Sequence, residues 1–202
     1  MKRVFALVLS IIMIISFGLT AFAAESSYSK KILIGKNFSI KTSVEERDQQ
    51  FEQAMVQVLS ALQEEGGEKG PQYHYRTEYL PYQYKTVGGY AGNQVAGGYC
   101  FPTGGGFWYT DSGGPSVSGS ITLSFPSPYN FVSFSVNLGQ KSSSGQYVAV
   151  PNTTDYFKLY ISKVIEVRPY AIYVRSATQD WTLYMVGAVP ITYSISAYAK
   201  KV

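Results

Sequence analysis

The chain has 202 residues, 17 basic and 13 acidic side chains, a formal net charge of +4 and one cysteine. That charge is too small and too scattered for a nucleic-acid-binding protein, which needs a clustered basic face. The lone Cys100 excludes an intrachain disulfide, a paired-cysteine zinc site and thioredoxin-like chemistry, and it reads as a small buried residue.

The N-terminus reads as an export signal. Lys2 and Arg3 precede an apolar run from Val4 to Phe17 that only Ser10 interrupts, and Ala21-Phe22-Ala23 supplies the small residues of a cleavage site. The run is short for a membrane span of about 20 residues. Residues 1–23 are therefore expected to be a signal peptide, and the mature protein to be secreted. About 180 residues then remain, enough for one domain. Residues 24–70 are expected to form a lead-in and a helix, and residues 71–202 a β-rich domain packed with that helix as one unit.

Lys31–Gly35 and Phe38–Ile40 each read as a short strand. Ser43 to Glu65 then carries a helical pattern. Ser43 and Glu46 form a capping box, in which each side chain accepts from the other's backbone N–H. Phe51, Met55, Val58 and Leu62 recur at helical spacing, with Ala54 and Leu59 beside them, and Gly66-Gly67 supplies a stop. The segment from Glu68 to Lys85 is tyrosine-rich and holds the only histidine, His74; Pro71 and Pro81 restrict it to an extended or edge role.

From Val87 to Pro115 the chain concentrates more than half of its 19 glycines, together with Cys100 and six large aromatics. Asp111 is the only charged residue between Thr86 and Gln140. Tyrosine and tryptophan offer flat apolar faces with a polar handle, which suits sugar rings and protein partners. Tyr90, Tyr99, Phe107, Trp108, Tyr109 and Asp111 are accordingly the candidate ligand-binding residues. In a strand, Trp108 must point opposite to Phe107 and Tyr109, so one face joins the core and the other is free.

Asp111-Ser112-Gly113-Gly114-Pro115 resembles the region around the nucleophile of chymotrypsin-like serine proteases, with Thr110 where that motif has a further glycine. The chemistry needs a histidine base held by an acid. His74, flanked by tyrosines, is too near the serine in sequence for that family, so the string is read as a turn.

Beyond it the pattern is β throughout. Val117, Ile121, Leu123 and Phe125 alternate with serines and Thr122, and after a Pro-Ser-Pro turn Val132, Phe134, Val136 and Leu138 alternate with Ser133, Ser135 and Asn137. This uncharged hairpin is similar in pattern to the inserting hairpins of β-pore-forming toxins, and equally to an ordinary half-buried sandwich hairpin. Tyr147–Val150, Asp155–Ser162, Val164–Val167, Tyr170–Val174, the alternating set Trp181, Leu183 and Met185, and Val189–Ile195 complete the strands, with Pro169 expected at a bulge or an edge. The fold class is mainly β: an antiparallel β-sandwich or jelly-roll-like domain with one N-terminal amphipathic helix.

No catalytic constellation is evident, so no cofactor or metal is expected. The expectation is a non-catalytic binding protein of the cell surface or extracellular space, with glycan or a cell-wall component as partner, no nucleic acid, and room for peripheral membrane contact. The alternatives are a membrane-acting β protein and a hydrolase built on a carboxylate pair among Asp111, Asp155, Glu166 and Asp180.

Overall fold

A computed structural model describes residues 38–65, 73–111, 117–126, 129, 131–176 and 179–202. The leader, the Lys31–Gly35 strand, the Gly66-Gly67 stop and Ser112 to Pro115 lie outside them. The element order is β1 (Phe38–Lys41), α1 (Val44–Glu65), β2 (His74–Tyr79), β3 (Gln83–Tyr90), β4 (Gly106–Thr110), β5 (Ser118–Ser124), β6 (Phe131–Asn137), β7 (Gln140–Ser142), β8 (Gln146–Ala149), β9 (Phe157–Arg175) and β10 (Thr182–Lys201). The protein is mainly β, antiparallel and sandwich-like, with one helix among the described residues.

A five-stranded sheet is the centre of the molecule. β10 lies between β1 and β9, and the far side of β9 is shared by β2 and β3. β2 pairs with Tyr170–Arg175 and β3 with Tyr160–Val167, so the two behave as one edge strand broken at Leu80–Tyr82. Pro169 was expected at a bulge or an edge, yet β9 runs straight through it, paired with Ala188. The reason is local. In an antiparallel ladder the N–H and C=O of one residue point to the same side. The Pro169 carbonyl accepts from Leu80 N–H at 3.0 Å, so its missing donor falls where the neighbouring strand is itself interrupted at Pro81.

One face of this sheet carries two small sheets. β7-β4-β8 packs there through Phe107, Tyr109 and Val148 against Phe38, Leu159, Ile161, Ile195 and Ala197. The β5–β6 hairpin packs beside it through Ile121, Leu123, Val136 and Leu138 against Val87, Ile165 and Val167. Its outward face is hydroxylic, and Thr122 and Ser133 bond across it at 2.8 Å. Gly119 makes the close approach possible, because a Cβ there would collide with Val87.

The opposite face carries α1. Its capping box is present: Ser43 N–H donates to Glu46 Oε2 and Glu46 N–H to Ser43 Oγ, both at 3.1 Å. Ala54, Met55, Val58 and Leu62 are buried against Tyr170, Ile172, Met185, Val189 and Ile191. Burying four such side chains contributes about 1.5–3 kcal/mol for each of the larger ones.

The last strand corrects the expected pattern. Val189, Ile191, Tyr193 and Ile195 look like one alternating series. The register slips between Thr192 and Ser194, so Ile191 faces the helix while Ile195 faces β4. Strands of 19 and 20 residues replace the several short ones expected at β9 and β10. A bulge resets the face without ending the strand.

Candidate functional site

The helix covers only one half of its sheet face. Along β9 the residues on that face are Lys158, Tyr160, Ser162, Val164, Glu166, Arg168, Tyr170 and Ile172; the last two are buried under α1. α1 begins at Val44, beside Glu166; past it the Tyr193 ring lies 5.1 Å from that of Tyr84 and 4.9 Å from the Arg47 guanidinium, Ser194 is buried, and the remaining β9 residues of the face are partly exposed.

At the boundary sits a buried charge. Glu166 is 2% exposed. Its Oε2 accepts from Arg47 Nε at 2.9 Å and from the Tyr84 hydroxyl at 3.0 Å, and its Oε1 from Arg168 Nε at 2.6 Å. Arg168 also pairs with Asp48 on α1 at 2.6 Å. A carboxylate taken out of water needs such partners on both oxygens. Burial, followed by the bond to Glu166, pushes the Tyr84 phenol above its ordinary pKa. Around this floor the first turns of α1 and the β2–β3 break leave a groove of about 440 Å³, lined by Val44, Phe51, Tyr79, Tyr82 and Tyr84 among others. Tyr79, Tyr82 and Tyr84 are all exposed on its rim.

From the groove the open face runs along the strands in registered rows. Thr86, Val164, Ser194 and Lys41 form one row, and Gly88, Ser162, Ser196 and Ser39 the next. Then come Tyr90, Tyr160 and Tyr198 side by side, with ring centroids 5.5 and 5.2 Å apart. Lys158 and Lys200 close the series. Lys158 Nζ lies 4.8 Å from the Tyr90 ring and Lys200 Nζ 4.5 Å from the Tyr160 ring.

The residues expected to bind ligand are dispersed. Tyr90 belongs to the tyrosine row. Tyr99 is half-buried, its ring 5.8 Å from that of Phe107 with Lys141 over it. Phe107 and Tyr109 are core residues at 1% and 2% exposure and present no surface to a ligand. Trp108 points the other way, 41% exposed and packed on Tyr147, as the alternation requires. Asp111, its side chain 40% exposed, accepts from the Tyr109 hydroxyl at 2.9 Å and pairs with the buried Lys163 amine, so its carboxylate is already engaged within the fold.

Sequence reasoning missed Tyr160, Tyr198, Lys158 and Lys200. The polar side of β9 was visible as alternation, but its partners on β3 and β10 lie far away in the chain. The four carboxylates proposed for hydrolysis are also separated. Glu166 faces the helix side, Asp111 bonds to Lys163 on the other side, Asp155 pairs with Lys201 at 2.8 Å, and Asp180 lies in the β9–β10 connection. Among the described residues no cluster of His, Cys, Asp and Glu could hold a metal ion, and no helix is long and apolar enough to cross a membrane.

In comparisons with known proteins, no family model, no curated protein and no solved structure matches the chain.

Proposed function

We propose that this is an exported, non-catalytic binding protein of the cell surface or extracellular space, and that its ligand is a glycan seated on the open half of the five-stranded sheet. The observation that supports this reading is the half-covered face. A sheet layer in a globular protein ordinarily either buries an apolar face or wets a charged one. This one presents tyrosines, serines and threonine in register beside a tyrosine-rimmed groove. Such groups offer hydroxyls and ring surfaces at low cost in side-chain entropy.

The test is retention of the purified mature chain on insoluble cell-wall polysaccharides and on a glycan array. Tyr90→Ala with Tyr198→Ala is expected to weaken retention about tenfold, equivalent to 1.4 kcal/mol, while Trp108→Ala leaves it unchanged. Retention that depends on Trp108 and ignores the tyrosine row would move the site to the outer face of β4.

A second reading rests on the β5–β6 hairpin. It pairs with no other strand among the described residues, and no charged side chain lies between Val117 and Gln140. Apolar contacts hold it to the sheet, joined at its tip by a bond between the Tyr129 and Tyr173 hydroxyls at 3.1 Å. As a membrane-acting element it would release dye from liposomes at micromolar protein; intact liposomes at that concentration remove this reading.

A further inference from the structure

Resting on the glycan reading, we infer that the ligand is a linear polyanionic glycan, laid along the strands with its acidic groups over Lys158 and Lys200. The charge distribution on the face carries this. At the groove end the buried charges are matched: Glu166 is held by Arg47 and Arg168, and Asp48 by Arg168. At the other end Lys158 and Lys200 face each other across β9 and β10, while Lys41 of β1 stands in the row next to the groove, its amine over the Tyr193 ring. Among the described residues no carboxylate pairs with any of these three lysines. The next lysine, Lys201, is already engaged by Asp155.

These ammonium groups are also placed. Lys200 Nζ lies within 4.5 Å of the Tyr160 ring and 5.7 Å of the Tyr90 ring, and Lys158 Nζ donates to the Ala96 carbonyl at 3.4 Å while sitting over Tyr90. Cation–π contacts at exposed sites are worth about 0.5–1 kcal/mol, enough to bias a flexible side chain toward the face. Two cations fixed side by side without a counter-ion favour an anion between them.

The floor between the two ends is neutral and hydroxylic. Ser196 Oγ and Ser39 Oγ stand 3.3 Å apart, and Ser162 and Thr86 continue the surface. Gly88 keeps the middle low, since a Cβ there would meet the Tyr160 hydroxyl at 3.0 Å. From Tyr160 to Glu166 this strip of sheet runs about 20 Å at the rise of a β-strand. That is a track for a chain of sugars, with ring edges and hydroxyls along it and cations at one end.

The experiment is calorimetric titration of the mature full chain with polygalacturonate and dextran sulfate, with fully methyl-esterified polygalacturonate as the uncharged form of the same backbone. Polyacrylate serves as a polyanion without sugar, and anionic phospholipid vesicles as a charged surface. Binding to the acidic polysaccharides is expected to exceed binding to the ester at least about tenfold, to weaken with added salt, and to fall about tenfold in Lys158→Gln/Lys200→Gln. Thermal unfolding of that variant should stay close to the parent, because Lys200 is exposed and Lys158 is partly exposed with one long bond, to the Ala96 carbonyl at 3.4 Å. Equal affinity for the ester overturns the anionic assignment and leaves the glycan reading standing. Equal affinity for polyacrylate or vesicles overturns the sugar requirement. Failure of every polysaccharide to bind overturns both readings, and undiminished binding by the lysine variant overturns the site.

Discussion

Glu166 gathers donors from three elements onto one carboxylate: Arg47 from α1, Tyr84 from β3 and Arg168 from its own strand. It thereby fixes the angle at which the helix enters the sheet. Removing one member of a buried ion pair leaves the others uncompensated and costs about 3–5 kcal/mol. Glu166→Gln is expected to lose about 3 kcal/mol in urea unfolding, whereas Tyr84→Phe, which deletes one neutral donor, loses about 1 kcal/mol. Similar losses for the two would show that the carboxylate's charge is not what the guanidinium groups require. Tyr170 makes a different point from the same face. Burial raises its phenol from 10.0 to about 12. Above pH 10 the unfolded chain releases a proton that the folded chain keeps. The stabilisation is therefore complete below pH 10 and is lost as pH rises toward 12, by on the order of 1 kcal/mol per pH unit. Tyr170→Phe should flatten that alkaline slope in unfolding measured on either side of pH 10; an unchanged slope would place the titration elsewhere.

At the scale of elements, local chemistry and distant pairing separate cleanly. α1 was legible because its cap and its apolar stripe lie within one stretch of chain, and Ser43, Glu46, Met55, Val58 and Leu62 do what their spacing implies. The β5–β6 hairpin was legible for the same reason. The opposite orientations of Trp108 and its neighbours followed from alternation alone. What alternation hid was the slip between Thr192 and Ser194, since hydrophobic residues occupy both phases there. The candidate site suffered most. Tyr160 meets Tyr90 and Tyr198 only through registers that no local signal prints, and the glycine-rich stretch drew attention because its aromatics are dense, although Phe107 and Tyr109 are dense for the sake of the core. The hairpin's seat gives a test at this scale. Gly119→Ala drives a methyl into Val87 and is expected to cost about 1–3 kcal/mol by overpacking. Adding Val87→Ala should restore part of that loss in a double-mutant cycle; strictly additive losses would mean that the two residues are not in contact.

At the largest scale the described residues form a helix, a five-stranded sheet and a split second layer, and the asymmetry lies in coverage. Among the described residues, one face of the sheet carries the two small sheets and the other carries α1 as far as Glu166. The two tyrosine groups therefore lie on one continuous surface, although β2, β3, β9 and β10 are spread over the chain. The strand that organises this surface, β10, sits between β1 and β9 and is the last of all. α1 and the β5–β6 hairpin are local, but β1 pairs only with β10, and the helix stripe rests on Met185, Val189 and Ile191 of that strand as well as on Tyr170 and Ile172 of β9. Closure of the sheet therefore depends on a contact of very long sequence separation, and refolding is expected to be slow for a chain of this size.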